Sequence, residues 1–157
     1  MIDFQKAVIT LEFYKITDRL ATLCATEGAK ALARSLTPYG DIVYVQKKLR
    51  ETTDAKAMSA SNGSPSFGGV VDVTASAERA VKGAPLTTRV LLDVADLLNV
   101  TSRLCAYAGS KSETAGSLAE LFSRLIPNTR VEGAIKRAII SEDMIADDAS
   151  PKLYDIR

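Results

Sequence analysis

Catalysis needs groups that move a proton, hold a metal or cradle a phosphate, and this 157-residue sequence offers few places for any of them. Histidine is absent. That removes the commonest general base, the histidine-dependent triads and the usual catalytic zinc ligands. The stretch from Gly63 to Gly69 is the nearest thing to a phosphate cradle. Such a loop needs GxxxxGK followed by Ser or Thr, and neither Gly68 nor Gly69 precedes a lysine. The dinucleotide pattern GxGxxG is missing too, so the loop reads as a connection. The acidic residues Glu142, Asp143, Asp147 and Asp148 lack the alternate spacing, central glycine and terminal glutamate of a calcium loop. They read as a solvated connection that favours the N-terminus of the next helix. Lys47, Lys48 and Arg50 could touch phosphates, but Glu51 and Asp54 stand i,i+4 from Lys47 and Arg50, the pattern of an ion-paired, solvated helix face. Tyr14, Tyr44, Tyr107 and Tyr154 are scattered, with no aromatics interleaved for base stacking. No GxSxG elbow occurs. The expectation is a chain with no catalytic, cofactor-binding or metal-binding residue.

Composition agrees with a scaffold. Hydrophobic residues make up 46% and charged residues 25%, the mixture of an ordinary globular protein. The net charge of +1 gives no global field toward nucleic acid. Cys24 and Cys105 sit in apolar helical patterns at no metal-ligand spacing and read as small core residues in a reducing compartment. Residues 90–108 are the most apolar stretch, yet contain Asp93, Asp96 and Arg103, so no membrane span is expected. The N-terminus shows no secretory signal, and the cytoplasm is the expected location.

The elements that must position these residues are all helical. Residues 11–25 place Phe13, Ile16, Leu20, Leu23 and Cys24 on one face at helical spacing. Thr26 caps a shorter helix with Ala29, Leu32, Ala33 and Leu36 inward, ended by Pro38 and Gly40. Asp41 caps a third helix over about 42–59, carrying Ile42, Val45 and Leu49. A loop covers 61–69. A short helix follows over about 73–82, with Gly83 placed to end it in the left-handed conformation. Thr87 caps a long helix over about 88–108, with Leu91, Val94, Leu98, Thr101, Cys105 and Ala108 stacked on one side. Further helices are expected over 112–126, with Leu118, Leu121, Phe122 and Leu125 inward, and over 130–141. Ser150 and Pro151 form an N-cap and first-turn proline. They open a helix from about 150 that is too short to persist unaided. The fold class is all-α, a multi-helix bundle in a single helical domain over 1–157, without a sheet beyond a two-residue bridge.

Several strings in this order resemble one family. LEFYKI, Leu11–Ile16, resembles the opening LEFxKI of the MutS-II family. FGGVVDV at 67–73 resembles its LGGIxDI-like element, with Phe67 where leucine is more usual. Ala80, Gly83 and Leu86 follow in an AxxGxxL arrangement. LLDVADLL, Leu91–Leu98, is similar to the family's LLDIADLL helix, and DDASPKLYDIR, Asp147–Arg157, to its DxASPxLxxIR element.

The resemblance implies an N-terminal fragment of a cytoplasmic, homodimeric MutS paralogue. Its parent would hold a helical core with lever and clamp, an ATPase domain using ATP and magnesium, and a small MutS-related endonuclease domain. The family is linked to branched DNA and recombination control, and to the rescue of collided ribosomes. On this reading the fragment begins the core and lever, and its partners are its own downstream ATPase and clamp domains. The final helix continues as the lever, and no family active-site residue falls on this chain. The alternative is a stand-alone helical module that binds a partner protein through an apolar groove.

Overall fold

The computed structural model describes residues 5–109 and 116–156. The protein is mainly α-helical, and its packing divides it into two compact units. Among the described residues the first unit holds 5–68 and 116–121, and the second holds 69–109 and 122–156.

The first unit begins with a helix broken early. α1 (Gln5–Thr10) and α2 (Phe13–Thr22) are separated at Leu11–Glu12. Glu12 takes a left-handed backbone at φ 51° and its carboxylate accepts from Lys15 at 2.5 Å. The single helix expected over 11–25 is therefore shorter and preceded by another. Its expected inward face is also turned outward. Thr17 (5% exposed) and Ala21 (fully buried) face the neighbouring helix, whereas Ile16, Leu20 and Leu23 are 63%, 41% and 75% exposed. α2 and α3 (Glu27–Arg34) pack on each other, and the residues that the two helices bury, Thr17, Ala21 and Ala33, are small. That contact places the bulkier stripe on another side. Leu32 and Leu36 are exposed for the same reason. Thr26 caps α3 as expected, accepting from the Ala29 N–H at 3.2 Å.

α4 (Ile42–Asn62) starts at Asp41, whose carboxylate accepts from the Val43 and Tyr44 N–H groups at 2.8 and 3.1 Å. It runs three residues beyond the expected end, so the loop begins at Gly63. Met58 is its fully buried residue, while Ile42 and Leu49 of the expected stripe are exposed. Opposite α4 lies a single 3-10 turn, Gly116–Leu118, with Leu118 buried. A continuous helix over 112–126 does not form. Residues 112–115 lie outside the described residues. Gly116 has φ +44°, outside the helical region, and α7 spans only Ala119–Ser123. Leu121 is exposed, and Leu125 lies beyond the helix.

The second unit is built on α6 (Thr88–Gly109). It is preceded by α5 (Thr74–Val81), which ends at Gly83 with φ +82° as expected. α6 buries Ala95 and Val100 and packs on α8 (Thr129–Ala138). Asn99 donates to the Glu132 carboxylate at 2.9 Å, joining the two helices. Asn128 caps α8 through the Val131 N–H. The helix expected over 130–141 stops three residues short. The β-branched pair Ile139–Ile140 instead enters β1 (Ile139–Ser141), which pairs antiparallel with β2 (Met144–Ile145). The pairing is extended by the Ala146 N–H donating to the Ala138 carbonyl. This ribbon is the one departure from an all-helical outline among the described residues. Ile139 and Ala146 close the small core beneath it. α9 (Pro151–Tyr154) follows, with the Ser150 hydroxyl accepting from the Leu153 N–H at 3.2 Å.

Candidate functional site

The residues singled out by chemistry go to structural duties. In the loop, Gly69 has φ +86°, and a Cβ there would stand 3.5 Å from the Cβ of Asp96 on α6. Two family-like strings, FGGVVDV and LLDVADLL, thus meet where the backbone passes close to α6. Asp72 then accepts from the Thr74 N–H at 2.9 Å and starts α5, and its bonds to Thr74 hold its carboxyl below the usual carboxylate value.

The acidic connection is used as an anchor. Glu142 ion-pairs with Arg89, and its carbonyl accepts from the Thr88 hydroxyl at 2.5 Å, so the ribbon turn is tied to the first turn of α6. The bond to Glu142 raises the Arg89 guanidinium above its ordinary value. Among the described residues no group of three or more His, Cys, Asp or Glu is placed to hold a metal ion.

Two of the three basic residues are ion-paired, but not as the i,i+4 spacing predicts. Lys48 reaches Glu51 at 2.7 Å, one turn away by i,i+3, and Lys47 reaches Glu120 at 3.1 Å. Asp54 instead accepts from both the N–H and the hydroxyl of Ser117, at 2.8 and 2.7 Å. Those bonds, with Arg50 nearby, hold its carboxyl below the usual value. Helix spacing alone could not show this, because Ser117 is 63 residues away. Cys24 and Cys105 are free thiols, half-buried rather than in the core. The Cys105 thiol points to the Leu125 carbonyl at 3.6 Å.

Sequence reasoning missed the surface that the first unit presents. Tyr39, in the connection before the capped α4, meets Tyr44 with ring centroids 4.5 Å apart, and Lys48 lies 5.8 Å from the Tyr44 ring. The neighbouring Tyr39 phenol raises the Tyr44 phenol above its ordinary value. These rings join Phe13, Leu32, Leu36 and Leu49 around an open cleft of about 590 Å3. The signal was available in Pro38 and Gly40, which break the helical pattern and leave Tyr39 just before the first turn of the next helix.

The fold defines a mainly α-helical protein with open apolar helix faces, and no helix among its described residues is long and apolar enough to cross a membrane. No protein-family model matches the chain. It is 39% identical to Endonuclease MutS2 of Acetivibrio thermocellus, over 98% of this chain and 20% of that protein. It is 40% identical to Endonuclease MutS2 of Ruminiclostridium cellulolyticum over the same shares. To Endonuclease MutS2 of Clostridium perfringens it is 38% identical over 94% of this chain and 19% of that protein. Over almost its whole length the chain is similar to part of MutS-II family proteins, and it spans about one fifth of the length of the relatives it matches.

Proposed function

We propose that the chain is the amino-terminal, non-catalytic core and lever portion of a MutS-II type protein. Its parent would be an ATPase and endonuclease that acts on DNA, ribosomes or both. The observation that carries this reading is the match over almost the whole chain to one fifth of proteins named as endonucleases. The order of the LEFYKI, FGGVVDV, LLDVADLL and DDASPKLYDIR strings supports the amino-terminal placement. The surroundings of the reactive side chains support a mechanical role, since Asp54, Asp72, Glu132 and Glu142 are each engaged in bonds that hold the backbone or neighbouring elements. In this account the chain packs beside the parent's ATPase and clamp domains in a cytoplasmic homodimer. ATP and magnesium bind downstream, and the helix opened by Ser150 and Pro151 continues as the lever that carries nucleotide-dependent motion to the clamp.

The test is a calorimetric titration of ATP with magnesium into the 157-residue chain and into its full-length parent. The parent is expected to bind and the chain to show no heat of binding. Micromolar binding by the chain alone, or a parent without a GxxxxGK element followed by Ser or Thr, would contradict the reading.

A further inference from the structure

The stripe that α2 turns outward has a spacing of its own. Phe13, Ile16, Leu20 and Leu23 follow one another at intervals of three, four and three residues, the alternation that keeps a single seam facing a partner helix in coiled-coil packing. Three of the four are substantially exposed, beside an adjacent face of the same helix on which Thr17 and Ala21 are buried. Single exposed apolar residues are ordinary, but an aligned row with coiled-coil spacing marks an interface. Arg19 flanks the row and forms no ion pair among the described residues, whereas Lys15 is tied to Glu12 and Asp18 to Arg34. The row therefore fits a helix with leucine- or isoleucine-type side chains at matching intervals and an acidic residue opposite Arg19.

We infer that the α2 seam is the docking site for one amphipathic helix contributed by the rest of the parent protein. This rests on the MutS-II reading, under which about four-fifths of the parent's length lies outside the chain. The occupant is an intramolecular helix, available at high effective concentration, and the seam gives the amino-terminal region a fixed register against it.

The experiment uses the full-length parent with Ile16→Cys, Leu20→Cys or, as an exposed control on the same helix, Asp18→Cys. Labelling by a water-soluble maleimide is read position by position by peptide mass spectrometry. Positions 16 and 20 should label at least about tenfold more slowly than position 18, as expected where a packed element must open first. Equal labelling at all three positions would overturn the inference. A peptide cross-linked through position 16 between two copies on mild oxidation would also overturn it, by showing a second copy in the seam. If a substitution prevents folding, amide exchange across 13–23 in the unsubstituted parent serves instead, and fast exchange there counts against the seam. A parent that lacks the ATPase region altogether would defeat the MutS-II reading, an outcome distinct from labelling of the seam.

Discussion

At the residue scale, one carboxylate organises the first unit. Asp54 holds the Gly116–Leu118 turn against α4 through two hydrogen bonds to Ser117. Its folded-state pKa is lowered from an ordinary value near 3.8. The stabilisation is therefore fully present above that value and is lost as pH falls through the lower folded value. Asp54→Asn keeps an acceptor oxygen and removes the titration. Its melting temperature should fall less than that of the parent sequence between pH 5 and pH 2, a difference thermal denaturation across that range will read. An identical pH slope would show that Asp54 does not hold the turn. Gly116 belongs to the same contact, since a Cβ there would stand 2.6 Å from an Asp54 oxygen. Gly83 has a comparable positive φ with open space around it. Gly83→Ala should cost about 1–2 kcal/mol from left-handed backbone strain alone, and Gly116→Ala should cost more. Chemical denaturation of the two variants decides the order, and equal losses would mean that the Asp54 contact yields freely.

At the element scale, the helix starts were legible and the faces were not. Thr26, Asp41 and Ser150 each cap a helix with their side chains as expected, and Asn128 does so without having been read as a cap. Such caps are local, depending on residues two or three positions away. Inward and outward faces depend on what lies across the contact. The α2–α3 contact uses Thr17, Ala21 and Ala33, so the larger apolar side chains were assigned to the wrong neighbour. The ribbon was hidden for a related reason. Ile139 and Ile140 continue the apolar pattern of α8, and the pairing of Ile139 with Ile145 across a turn decides for strand. The Asp54–Ser117 anchor and the Tyr39–Tyr44 pair were likewise beyond periodicity, one because it is long-range and the other because it spans an irregular connection. The loop element was legible as a family string but not as geometry, and only the structure shows Gly69 against Asp96. Gly69→Ala should therefore destabilise by about 1–3 kcal/mol through its positive φ. The loss should appear in denaturant unfolding with the m-value unchanged, and a neutral variant would remove the geometric reason for glycine at that position.

At the scale of the whole molecule, the buried apolar side chains are few and mostly small, while large ones are exposed in both units. α9 shows the same condition in miniature, with Leu153 half-buried and Ile156 71% exposed. Helices this open gain little from their own propensity and depend on packing partners. A chain matching one fifth of its MutS-II relatives accounts for that openness if the parent supplies the missing faces. The most direct measurement is hydrogen–deuterium exchange, followed peptide by peptide, on the 157-residue chain and on its full-length parent under the same conditions. The account predicts that amides of α2, α4 and α9 exchange at least about tenfold more slowly in the parent, as they would if the rest of the protein closed over them. Exchange at the same rate in both proteins would contradict it, and would make this region a self-contained module attached to the parent rather than part of its core.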